Sequence, residues 1–327
     1  AIGYEAMGGT AGTQEGNGIA IGYRAMFEVE DGSSGVAVGG SALNRLKGGY
    51  SVGIGSSAGQ NATGSYNTFV GFSAGKGASS APYSSGQENT AMGYLALKNF
   101  TTGGSNTAIG RKALEDVTSG GYNVAIGNEA GLQLTTGGEN VFLGISAGGN
   151  TTDVDKAVLI GGGAGTGVLT SAADGIVLIG YTAGANITSG NGNVAIGYEA
   201  MKVHTTGGNN IAIGYGAMND TDAGSTSLGS THNVFIGLDA GGGTWADAAS
   251  SYNVTVGNYT MNNALNGAVY NIAMGYGALS STTSADSNVA IGYLAGNDIT
   301  TGGSNVLLGH GAGDNASTLG NSIGIGY

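Results

Sequence analysis

The feature that most constrains the fold is a short phrase that this chain repeats from end to end. TTGGSNTAIGRKA at 101–113 returns as TSGGYNVAIGNEA at 118–130 and as TTGGENVFLGISA at 135–147. With the Gly that closes the AIG-like triplet as origin, 19 copies run from Gly3 to Gly326, and ten of the 18 steps between them are 17 residues long. Repeats of this size are supersecondary units that bury their apolar faces only by stacking on one another.

The columns around the origin carry the physics. Three residues before it stands Val, Ile or Thr, and one before it Ile, Val, Leu or Met, as at Ile109, Ile126 and Ile196. Residues two apart on a strand share a face, and β-branched side chains suit that pleated surface. Positions −2 and 0 share the opposite face and are mostly Ala and Gly, as at Gly110, Gly127, Gly144, Gly197 and Gly214. That small face must meet a backbone closely or line a narrow interior. Position −4 is Asn in 12 of 18 copies, among them Asn106, Asn123 and Asn193, and position +3 is Ala in 17 of 18. Thr-Thr-Gly-Gly-x-Asn reads as a tight turn, since Gly and Asn tolerate positive φ.

The expected fold is therefore all-β: a parallel β-solenoid or β-roll of about 19 coils, period near 17, with two short strands and two turns per coil. At about 4.8 Å per coil the array would extend roughly 90 Å. A coil this thin buries few aliphatic side chains, while ordering its backbone costs about 1–2 kcal/mol per residue. Several chains sharing one core would relieve that deficit, and the small face favours sharing. A homotrimer, intertwined or side by side, is the expectation. Residues 1–327 read as a single repeat array cut from a longer polypeptide. Longer steps place loops at 76–88, 219–232 and 241–252.

Composition excludes several classes. Gly is 69 of 327 residues, only 9% are charged, and there is no Cys. The net charge is −12, and no Lys or Arg follows Lys202. A phosphate backbone needs clustered cations, so nucleic acid is not an expected partner. No apolar run is long enough to span a membrane as a helix.

NVAIGYEAM and NTAIGRKAL resemble the head repeats of trimeric autotransporter adhesins. The longer TTGGSNTAIGRKAL and TTGGNNIAIGYGAM are similar to repeats of bacteriophage tail fibres, of the kind found upstream of endosialidase-type chaperone domains. The resemblance covers essentially the whole chain. It implies a structural fibre protein, the rigid trimeric rod of a virion tail fibre that mediates or presents host-cell attachment. The alternative it implies is a bacterial cell-surface adhesin head or extracellular filament. The adhesin repeat is typically shorter than 17 residues, so the turns here are longer.

No chemistry stands out against the repeat. The three His (204, 232, 310) lack metal-ligand spacing. Asp153-x-Asp155 and Asp220-x-Asp222 are too sparse for a calcium loop. GFSAGKG at 71–77 lacks the Ser/Thr and helix of a phosphate loop. No catalytic, cofactor-binding or metal-binding residues are assigned, no cofactor is expected, and no enzyme activity is read. Loops are where solenoids bind partners. Trp245, Tyr252, Asp247 and Tyr83 are the candidate contacts to a host glycan or protein receptor. Tyr or Phe follows the origin Gly in 10 of 19 copies, and these rings are read as stacking between coils.

Overall fold

The computed structural model describes residues 1–8, 18–29, 34–221 and 229–326. It is a parallel β-solenoid with 18 strands of three or four residues, from β1 (Ile19–Ile21) to β18 (Ile323–Ile325), and one short 3-10 turn at Ser171–Ala173. The chain forms two compact units, residues 1–157 and 158–327. In the first, β1 to β8 (Val141–Leu143) form one parallel ladder, each strand pairing with the next, as in Ala20↔Ala37 and Ala108↔Ala125. In the second, β9 (Val158–Ile160) to β18 do the same, as in Leu178↔Ala195. Strands of the same register put equal columns of the repeat directly above one another. The copy at Gly3 contributes only an isolated bridge, Ile2↔Ile21.

Each coil differs from expectation in one respect. It holds one strand, not two, and the rest is turn and bend. The reason lies in the residues after the origin. Ala113 N–H donates to the Gly110 carbonyl at 3.4 Å, closing a tight turn. Lys112 (φ 59°) and Leu114 (φ 50°) flank that Ala in the left-handed region. Alternating left-handed residues cannot continue a pleated strand. The backbone stays paired all the same, because these amides donate to neighbouring coils: Lys112 to the Tyr94 carbonyl at 2.8 Å and Leu114 to the Ala130 carbonyl at 3.0 Å.

The origin Gly is required twice over. Gly110 sits at φ +134°, and a Cβ there would overlap the carbonyl of Gly127; Gly127, Gly197 and Gly214 repeat the arrangement with the next coil. The close approach of backbones anticipated for the small face is thus the approach of one coil to the next.

The interior settles which face is inside. The middle strand residue, position −2, is buried, as at Ala108, Ala125, Phe142 and Ala195. The Ala column at +3 is also buried. Large side chains fill the space the alanines leave: Phe69 packs on Phe100 with ring centroids 5.7 Å apart, and Phe235 on Trp245 at the same distance. The small face therefore lines a narrow interior within one chain, and the β-branched face points out. The expectation that chains share the small face is corrected accordingly.

Alongside that core runs a polar spine. Asn67, Asn89, Asn106, Asn123 and Asn140 are fully buried in the first unit, and Asn193, Asn210, Asn233, Asn253, Asn271, Asn288 and Asn305 in the second. The Oδ1 of Asn89 accepts both the backbone N–H and the Nδ2 of Asn106, at 3.0 and 3.2 Å, and Asn106 Nδ2 also donates to the Gly120 carbonyl at 2.9 Å. Asn123 repeats the set. The ladders end on the backbone amides of Ala157 and Ser322. An amide buried this way uses its acceptor and donor capacity in full, which is what makes a buried polar column tolerable.

Candidate functional site

With positions −2 and 0 turned inward, the odd columns −5, −3, −1 and +1 must face out together. They carry nearly all the apolar surface the molecule exposes. Of 32 large hydrophobic side chains that are exposed among the described residues, every one except Val168 lies in these four columns. Val124 and Ile126, Val254 and Val256, Ile272 and Met274 illustrate the two central columns. Ile109 and Ile196 stand in the same column half-buried. The strands that carry this face are only three or four residues long, so the face is a narrow stripe running from coil to coil.

Two rows of rings border it. At +1, Tyr181, Tyr198 and Tyr215 stack with centroids 5.4 and 4.9 Å apart and planes within 20°. Tyr276, Tyr293 and His310 continue the pattern at 5.5 and 5.0 Å. At −5, Tyr50 stacks on Tyr66, and His232 on Tyr252 on Tyr270. The +1 stacking is what the sequence reading expected. The −5 row was missed. Its signal was present in the sequence: Tyr immediately before Asn recurs at 66, 122, 252 and 270.

The −5 residues sit in left-handed backbone, with φ 60° at Tyr122 and at Tyr252. A bulky side chain there costs roughly 1–2 kcal/mol relative to Gly. The same backbone recurs in this column at Glu88, Ser105 and Glu139, so it belongs to the coil rather than to the rings.

The four candidate receptor contacts fall in different places. Trp245 is a core residue: it is fully buried, and its indole N–H donates to the Gly241 carbonyl at 3.0 Å. It offers no ring face to a sugar, so its assignment as a receptor contact is corrected. Tyr252 is exposed within the −5 stack, and Asp247 is exposed in its loop. Tyr83 is half-buried, with the Arg45 guanidinium 4.4 Å from its ring centroid. The sequence placed Trp245, Asp247 and Tyr252 in one loop; the fold sends the Trp inward and the Tyr to the outer face. Of the loop 219–232, residues 222–228 lie outside the described residues.

Charged groups form local pairs rather than a site. Arg111 bridges Glu129 at 2.7 Å, and Glu115 meets both Lys98 and Lys112. The neighbouring Glu199 carboxylate holds the Tyr198 phenol above its ordinary range. Burial raises the Asp239 carboxyl. His204 is buried, its Nε2 2.7 Å from the Gly207 carbonyl and its Nδ1 2.8 Å from the Thr221 hydroxyl, so it is held as part of the core. Among the described residues no three of His, Cys, Asp and Glu are grouped to hold a metal ion. Nor is there a helix long and apolar enough to cross a membrane among them. No known family model matches this chain, and no curated protein matches it.

Proposed function

We propose that this chain is a structural fibre protein, a stiff homotrimeric rod of the bacteriophage tail-fibre kind that holds or presents a host-attachment surface. The observation that supports this reading is the outward aliphatic stripe with its bordering rings. A soluble monomer rarely leaves a contiguous apolar surface of more than a few hundred Å² open to water. The stripe repeats with the coil, so the partner that matches it over any length has the same coil spacing and direction. Another copy of this chain, parallel and in register, meets that condition, and cyclic symmetry closes the assembly. The number three follows from the resemblance to tail-fibre and adhesin repeats. On this reading the function is mechanical, with stiffness coming from the Asn ladders and the tight approach of the glycines.

Multi-angle light scattering tests the assembly: the mass should be about three times 31.7 kDa. A monomer at micromolar concentration would sink the trimer. Attachment is tested separately, by asking whether the labelled protein adsorbs to bacterial cells and blocks phage adsorption to them.

A further inference from the structure

Beside the apolar stripe, the first unit carries a second surface of opposite character. A groove of about 600 Å³ runs across five successive turns between Ser85 and Asp155. It is lined by the second Gly of three successive turns, Gly104 and Gly138 of Thr-Thr-Gly-Gly and Gly121 of Thr-Ser-Gly-Gly. A Cβ at Gly104 or Gly121 would press against the backbone of the preceding coil. The absence of side chains here is what keeps the groove open.

The two hydroxyl residues of each turn divide their work. The first belongs to the fold: Thr101, Thr118 and Thr135 each donate their hydroxyl to the carbonyl of the matching residue one coil on. The second lines the groove. Thr102, Ser119 and Thr136 are exposed, and their hydroxyls form no hydrogen bond among the described residues. Part of the groove's backbone is spent on the fold: the Tyr122 and Glu139 amides donate to the Gly104 and Gly121 carbonyls, and the Gly138 amide to Asp155 Oδ1. What faces a ligand is this row of hydroxyls with Tyr122, Glu139 and the Ser105–Glu88 pair, in which the Ser105 hydroxyl donates to the carboxylate at 3.1 Å.

Tyr122 differs from the other −5 tyrosines. Tyr50 and Tyr66 stack on each other, and Tyr252 and Tyr270 do likewise. In the same column Tyr122 has Ser105 on one side and Glu139 on the other, and it makes no ring stack. It is 71% exposed and held at φ 60°. Among the described residues no ring stacks on it, so its face is open to a ligand.

We propose that this groove binds a linear polyhydroxylated polymer, a neutral or amino-sugar polysaccharide, with Tyr122 as the stacking platform. The lining repeats once per coil, so a polymer of repeating units uses it better than a compact ligand does. The hydroxyls and carboxylates suit sugar hydroxyls and ammonium groups. The carboxylates of Glu88, Glu139 and Asp155, with no cation in the lining, oppose polyanions such as nucleic acid or polyuronate. This site is separate from the trimer reading, because it needs only the turns of one chain.

Isothermal titration of the purified protein with a glucosamine oligomer, a neutral β-glucan oligomer and a polyuronate tests the proposal. The expected result is saturable binding of the first two and none of the third. Tyr122→Ala should weaken binding roughly three- to tenfold and Tyr122→Phe should retain it. Glu88→Gln with Glu139→Gln should remove the preference for the glucosamine oligomer over the glucan. No binding of either polymer by the wild type overturns the proposal. So does equal binding by Tyr122→Ala, which would place the contact elsewhere, and so does equal binding of the polyuronate. Circular dichroism and light scattering on the same samples report folding and assembly independently. A monomer that binds would refute the trimer alone, and a trimer that does not bind would refute this site alone.

Discussion

Gly127 and Gly175 both have positive φ, yet they carry different constraints. Gly127 lies at φ +145°, and a Cβ there would overlap the Gly144 carbonyl; Gly175 lies at φ +71° with open space around it. Gly127→Ala should therefore cost about 3 kcal/mol or more, from strain and from pushing two coils apart. Gly175→Ala should cost only about 1 kcal/mol, the ordinary penalty of a left-handed alanine. Urea midpoints of the two variants check the contrast. Asp239 allows a test through pH. Burial raises its carboxyl above the ordinary 3.8, so the folded state disfavours the charged form. That penalty is present at pH values above the folded-state pKa and is gone below 3.8, where folded and unfolded chains are both protonated. Asp239→Asn, which also suits the φ of 53° at this position, should raise the melting temperature at pH 7. The charge-dependent part of that gain should vanish at pH 3.

At the scale of the element, the Asn ladder does for the turns what the strand pairs do for the sheet. Removing one rung exposes how it works. Asn106→Ala leaves the Asn123 backbone N–H without its acceptor and the Gly120 carbonyl without a donor. Each buried group left unpaired costs about 1–3 kcal/mol, so the variant should lose roughly 2–4 kcal/mol. Amide hydrogen exchange should locate the loss: the Asn123 N–H should exchange faster, while the Asn288 N–H in the second unit, held by a separate ladder, should keep its protection. Equal loosening at both sites would contradict a ladder whose rungs act locally. The rows of rings are a second element-scale device. They stand on the water-facing side, so their stacking adds to what the buried Ala and Phe columns contribute.

For the whole molecule, the telling property is that the strand's β-branched columns face outward, although Ala, Leu, Met and Phe already fill the interior of the coil. In an isolated chain Ile126 and Ile291 are exposed, 38% and 40%, so replacing them should barely disturb the coil. In a trimer closed on the stripe they become core. Ile126→Glu with Ile291→Glu should therefore reduce the light-scattering mass from threefold to single. The circular dichroism of the coil should remain. Ala125→Glu is the control: its side chain is fully buried in the coil itself, and a charge there should unfold the local turns in any assembly state. Should the double variant keep the threefold mass, the stripe is not the contact between copies.

Much of this fold was legible because a repeat reports its own constraints. Each column of the 17-residue phrase samples one site in many coils, so Gly110, Gly127 and Gly214 identify a position intolerant of Cβ, and Asn106, Asn123 and Asn193 a position that needs an amide. Parallel stacking and the near-17 period followed from those columns alone. Three matters did not. Which face of the strand points inward depends on how the chain turns after the origin Gly: the +4 column, only Gly, Leu or Met, carries a trace of the left-handed backbone seen at Leu114, but the direction of the turn is set by the stacking of coils. The place of Trp245 depends on how a loop folds back over Phe235, a contact between side chains ten residues apart in sequence. The groove at Tyr122 exists only when turns from successive coils stand side by side. Composition and spacing act along the chain and are readable there. Inside and outside, contact and concavity are relations between segments brought together by folding, and only the tertiary structure decides them.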